Sequence, residues 1–287
     1  MVKVFFIFTL LFSFSYADIL ETEKFESEKS EDFLIKKIRN LINPVTFEKD
    51  RAYIDIIFTP KEEYYNSDGR VNSIKVIQTL KENGILNLFF KKPQETNISF
   101  KTKGAPLFFV KIMSDSLRNI GYYRYVTKES SFNDSEFIWK ISLISEYAAD
   151  PLVISQELKK NGCEIVDVIK ESQTDWSYVI DMKNAKLDVT TLEDSEEIRL
   201  KRSLYSYWLN VSKIDKIDII SSSRNNWYPH IAFYDKFLNL LRVIKIDTKK
   251  TYLTLNMHEN THYVKISDIY TLKNIKDDLV LKPVIKK

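Results

Sequence analysis

Glycine is scarce in this chain, and three of its five glycines end the same short phrase. Leu80-Lys81-Glu82-Asn83-Gly84, Leu117-Arg118-Asn119-Ile120-Gly121 and Leu158-Lys159-Lys160-Asn161-Gly162 share the pattern Leu-basic-x-x-Gly, 37 and 41 residues apart. A helical apolar period precedes each glycine, and a run rich in β-forming residues follows it. Such a glycine ends a helix in the left-handed conformation at low steric cost, because it carries no Cβ. The chain must therefore turn from helix to strand three times between Arg51 and Met182.

The first unit reads as a helix over 72–83 with strands near 85–90 and 98–102. The second reads as a helix over 107–120 with strands over 122–128 and 136–147. The third has a helix over 151–161 with strands over 163–171 and 176–182, and one extra strand is expected over 52–58 at the start of the series. One helix on one hairpin cannot bury its own apolar face, so the units must pair or share a sheet. Two consecutive units give αββαββ, the element order of a permuted ferredoxin-like sandwich.

Beyond about Asp188 the helical period disappears. Seven short runs rich in Ile, Val, Tyr, Leu and Thr follow between Ile198 and Val284, which is the pattern of a β-sandwich. The expected architecture is α+β and modular, with helix-strand-strand repeats followed by an all-β domain. Its expected divisions are a leader at 1–17, a charged segment with an amphipathic helix at 18–49, a first α/β module at 50–105, an αββαββ module at 106–188 and the β-sandwich at 189–287.

The leader is read from Lys3, the apolar run Val4 to Phe12, and Ser15-Tyr16-Ala17, which puts small residues at −3 and −1 of a cut before Asp18. The run is well short of the roughly 20 apolar residues that span a bilayer. Export to the periplasm or the exterior is therefore expected, with no membrane span in the mature chain. Behind it lies a charge-dense lead-in, and then Phe33, Leu34, Ile38, Leu41 and Ile42 recur at helical spacing up to Pro44. The 287 residues carry 43 Lys and Arg against 40 Asp and Glu, a net charge of +3. So even a balance argues against a nucleic-acid partner, which draws on a concentrated basic surface.

Cys163 is the single cysteine, so no intramolecular disulfide is possible and packed cores must supply the stability. It sits at the start of an expected strand, where it reads as a small buried hydrophobe. In the β-region the candidates for binding are aromatic: Trp208, and Trp227 and Tyr228 after a polar loop. A ring held by a loop can stack on a sugar or anchor a peptide, and the same letters also fit core positions near a strand entry.

His258-Glu259-Asn260-Thr261-His262 is a literal H-E-x-x-H. On a helix that spacing brings two imidazoles to one metal, with the glutamate as base. Here the flanks alternate as strands do and Asn-Thr is poor helix material, so a hairpin turn is expected instead. The downstream ligand candidates would be Asp268, Asp277 and Asp278, with His230 upstream. No phosphate-binding, dinucleotide or nucleophile-elbow motif is present, and no cofactor is expected.

Three N-x-S sequences occur, at Asn97, Asn133 and Asn210. Only Glu95-Thr96-Asn97-Ile98-Ser99 also has an acidic residue two positions earlier, as in the extended acceptor of bacterial N-glycosylation, and after Pro93 it is expected in an exposed connection. The Lys-, Ile- and Phe-rich composition, with stretches such as Asn226-Trp227-Tyr228-Pro229 and Asp268-Ile269-Tyr270-Thr271-Leu272-Lys273-Asn274-Ile275, resembles the secreted, multi-domain proteins of epsilonproteobacteria with no assigned activity. That resemblance implies a modular exported protein rather than an enzyme and supplies no site residues. The expected role is recognition of a protein or peptide in the cell envelope or outside the cell. The alternatives are a peptidoglycan or carbohydrate binder, distinguished by aromatic faces exposed on the sandwich, and a zinc-dependent hydrolase using His258, Glu259 and His262.

Overall fold

The structure, a computed structural model, describes residues 32–133, 135–193 and 196–286; the expected leader and the lead-in up to residue 31 lie outside them. The chain divides into two compact units, one ending at Asn87 and one beginning at Leu88. That boundary differs from the expected ones after residues 49 and 105.

The first unit is helical: α1 Phe33–Leu41, α2 Pro44–Lys49, α3 Arg51–Ile57 and α4 Ser73–Glu82, with a 3-10 turn at Lys61–Tyr64. The Asp32 carboxylate accepts from the backbone N–H of Leu34 at 3.0 Å, and Asn43 and Asn72 cap α2 and α4 in the same way. Pro44 both stops α1 and occupies the first turn of α2, where its missing N–H costs nothing. The expected strand over 52–58 is α3 instead. Of its apolar letters Ile54 and Phe58 are fully buried, four residues apart, and that is a helical period.

The second unit opens with β1 Phe89–Thr102, a single strand of 14 residues where a hairpin was expected. Pro93 lies within the register shift between Phe89 and Gln94 on the pairing with the next hairpin, a place where a residue without an N–H is tolerated. Then follow α5 Pro106–Asn119, β2 Val126–Asn133, β3 Glu136–Tyr147, α6 Pro151–Lys160, β4 Glu164–Lys170 and β5 Asp175–Asp181. The sheet order is β2-β3-β1-β5-β4, with β1 antiparallel to β3 and parallel to β5. The two helix-strand-strand repeats thus share one sheet only because β1 is inserted between their hairpins. Ile98, Phe100, Trp139, Ile141, Tyr178 and Ile180 form the buried face, on the same side as Phe109 of α5, whose ring meets Phe137 edge-on at 6.0 Å.

The remaining strands are β6 Thr190–Thr191, β7 Ile198–Leu200, β8 Tyr207–Asn210, β9 Ile214–Ser221, β10 Pro229–Tyr234, β11 Leu240–Lys245, β12 Tyr252–Asn256, β13 Tyr263–Asp268 and β14 Leu279–Ile285. They form two sheets, β11-β10-β13-β8-β6 and β12-β9-β14-β7, closed over a core that includes Trp227, Phe233, Ile217, Ile219, Ile266 and Leu281. The α+β class and the terminal sandwich are as the sequence implies. The outer face of the five-stranded sheet meets α5, where Phe108 lies 6.3 Å from Tyr263 and the Lys111 ammonium lies 4.8 Å from the Trp208 ring centre.

Candidate recognition surface

The aromatic residues singled out in the sandwich do not converge. Trp227 is fully buried in the core, and its indole N–H donates to the Ser267 carbonyl at 2.9 Å. Tyr228 is half-buried and edge-on to Tyr270 at 5.1 Å, while its backbone N–H donates to the Asp268 carboxylate at 2.8 Å. Trp208 faces the opposite side of the sheet from Trp227. It stacks on Tyr234 at 5.1 Å, with the ammonium groups of Lys111 and Lys265 at 4.8 and 5.7 Å from its centre. Cations over the electron-rich ring face occupy the surface that a sugar would use. Asp268, one of the candidate metal ligands, is buried and accepts from the N–H groups of Tyr228, Tyr270 and Thr271 and from the Asn274 amide, so it organises a loop. Asp277 is held below the usual carboxylate range by hydrogen bonds from Ser222 and then Arg224.

Residues 258–262 are not helical. They are also not a hairpin, because β12 and β13 belong to different sheets and the segment crosses between them. The Thr261 N–H donates to the His258 carbonyl at 2.9 Å, which closes a turn that exposes His258 and Glu259. His258 Nε2 is 3.3 Å from the Arg242 guanidinium, while His262 is half-buried with its ring against Tyr263. Burial, followed by Lys236 and Lys286, lowers the His262 pKa. Off a helix, the i and i+4 positions lose the shared face on which metal ligation at this spacing depends. Among the described residues no three His, Cys, Asp or Glu gather as a metal site.

Asn97 lies not in an exposed connection but in the middle of β1, paired with Ser142 on one side and Asp175 on the other. Its side-chain amide donates to Asp175 at 2.8 Å, and its backbone N–H donates to the Thr174 carbonyl. A glycan there would sit on the very amide that donates to Asp175, in the middle of a strand paired on both sides rather than on a loop. Hydrogen bonds from Ser172, Asn97 and Thr174 hold Asp175 below the usual carboxylate range. A shallow polar trough of about 210 Å³ on this open face includes Lys140, Glu171 and Ser177, with Ser177 donating to Glu171 at 2.8 Å.

The upper ends of β1 and β3 form the most distinctive surface. On one side β5 begins opposite Asn97, and on the other β2 begins with Val126 opposite Ser142. Phe89–Thr96 and Leu143–Tyr147 therefore run on as a two-stranded ribbon with no named strand pairing outside it, among the described residues. Large apolar side chains are exposed there: Phe89 by 70%, Ile144 by 70% and Tyr147 by 47%, with Tyr123 at 71% and Val126 at 63% on the approach to β2. Phe89 and Tyr147 pack edge-on at 5.7 Å. Beside the ribbon the chain at 121–125 leaves the line of β2 and opens a cleft of about 240 Å³, lined by Tyr122, Tyr123, Arg124, Leu143, Ile144 and Ser145. The sequence reading missed this surface, because local letters do not tell how far one strand outruns its neighbours; the run Phe89-Phe90-Lys91-Lys92-Pro93 was its only local trace.

No helix among the described residues is long and apolar enough to cross a membrane. No family model matches the chain, and no curated protein does. Among solved structures, a chain in the crystal structure of accessory secretory proteins 1, 2 and 3 of Streptococcus pneumoniae is similar over 32% of this chain and 82% of its own length. The identity is 13% and the TM-score 0.18, a likeness too slight to carry a structural argument.

Proposed function

We propose that this is an exported protein that recognises a protein or peptide partner in the cell envelope or outside the cell, and that the β1–β3 ribbon is its contact surface. The exposed apolar side chains around the open edge of β3 carry the reading. Clustered apolar groups at a free sheet edge are a liability unless something covers them. Export rests on the leader pattern at residues 3–17. The aromatic candidates of the sandwich, Trp227, Tyr228 and Trp208, spend their rings on Ser267, Tyr270 and Tyr234, and this supports a protein or peptide partner over a glycan.

The mature chain from Asp18 should capture one dominant partner from an envelope extract, and Ile144→Asp with Tyr123→Ser should abolish the capture while near-ultraviolet circular dichroism stays unchanged. Capture that persists in the double variant but fails on deletion of 189–287 would return the role to the sandwich.

A further inference from the structure

We infer that the open edge of β3 takes up an extended peptide strand, apolar at alternate positions and acidic at its flanks. This rests on the reading of the ribbon as the recognition surface and specifies what binds there. An edge strand offers a row of main-chain N–H and C=O groups that an added strand satisfies without any change of fold. The five residues Leu143–Tyr147 span about 17 Å, enough for a short ladder, although the Tyr147 N–H already donates to the Ser145 hydroxyl at 3.2 Å and an added strand would have to displace it or stop short of it. An incoming strand antiparallel to them would continue the line of β2 and enter the cleft beside Tyr123 and Arg124. Natural edges are usually blunted by charge, proline or cover, and here Glu146 is the one charged residue among the five. Ile144 projects on the open polar face and Tyr147 on the other, so the peptide meets apolar groups above and below its plane.

Charge selects the flanks. Arg124 lines the cleft, and Lys91 and Lys92 lie in the β1 bulge opposite Glu146. The nearby Glu95 is already engaged by Lys128 at 3.2 Å and by the Ser142 hydroxyl. The β1 lysines lie two strand spacings from the added chain, about 10 Å, which is within electrostatic reach at low salt.

The test titrates the full mature chain, by fluorescence anisotropy, with a labelled peptide of about ten residues alternating Val and Phe with polar residues and carrying Glu at both ends. Its partners are a Lys-flanked twin and a twin N-methylated at alternate amides. The Glu-flanked peptide should bind and should slow amide exchange across 143–147. The Lys-flanked twin should bind about tenfold more weakly, and the N-methylated twin and Ile144→Asp should each abolish the signal.

Equal binding of the N-methylated twin would overturn strand addition while leaving recognition by the ribbon intact. No binding of the Glu-flanked peptide would also overturn it, with the envelope capture deciding separately whether the ribbon binds a partner. Binding that ignores Ile144→Asp would defeat both readings. A dimer in sedimentation that dissociates in Ile144→Asp would give the edge to a second copy and overturn the peptide assignment.

Discussion

Cys163 shows how one residue's chemistry follows from its place. It is fully buried at the exit of α6, and its thiol donates to the Asn161 carbonyl at 3.7 Å. Burial, with a smaller contribution from Asp181, pushes its pKa up to about 12. The thiolate is the reactive form, so the native protein should resist iodoacetamide at pH 8 and react fully in concentrated urea. Rapid labelling of the native chain would show that the strand entry is open. The position of Cys163 in Gly162-Cys163-Glu164-Ile165-Val166 already pointed to a buried hydrophobe. Trp227 and Trp208 were equally visible as letters, but which side of the sheet each ring faces depended on the register of β8, β10 and β13, which local composition does not contain.

At the scale of the element, the Leu-basic-x-x-Gly phrase builds the same helix end three times. Gly84, Gly121 and Gly162 have φ of +70, +99 and +66°. The glycine N–H donates to the carbonyl of the basic residue, and the next N–H donates to that of the leucine, as in Cys163 to Leu158 at 3.0 Å. These are the two bonds of a Schellman motif, with the leucine side chain fully buried in each case. The surroundings differ. A Cβ on Gly121 meets nothing within 4 Å, whereas on Gly162 it would sit 2.2 Å from the Asn184 carbonyl oxygen.

Gly121→Ala should therefore cost about 1–2 kcal/mol, from backbone strain alone. Gly162→Ala should cost clearly more in urea unfolding, because backbone has to move. Equal losses would mean that the approach of Asn184 is not as close as the structure has it. The phrase made these stops legible, whereas α3 was misread because Ala52-Tyr53-Ile54-Asp55-Ile56-Ile57-Phe58 fits a strand and a helix about equally well. The packing of Ile54 and Phe58 decided it.

For the whole molecule, the position of β1 matters most. Although it follows the first helical unit in the chain, it belongs to the second, where it joins two hairpins that otherwise have no edge in common. All four tryptophans lie beyond Leu88 and report on that unit. A fragment of residues 88–287 should keep the near-ultraviolet spectrum and cooperative unfolding of its tryptophans. A fragment of 106–287, cut where the first module was expected to end, should lose them because its sheet has no centre. Native-like signals from the shorter fragment would show that β1 is dispensable.

What the sequence determined by itself was settled between neighbouring residues: three helix stops, the change from helical to alternating periodicity near Asp188, and a chain that cannot rely on disulfides. Tertiary structure alone decided which strands became neighbours, and with that the hydrogen bond of Asn97 to Asp175, 78 residues away, the passage of His258–His262 between two sheets, and the stretch over which β3 outruns β2. The division is physical. Caps and turns satisfy backbone groups within a few residues, whereas strand order is chosen by the burial of shared faces and the pairing of distant N–H and C=O groups, for which a local pattern holds no address.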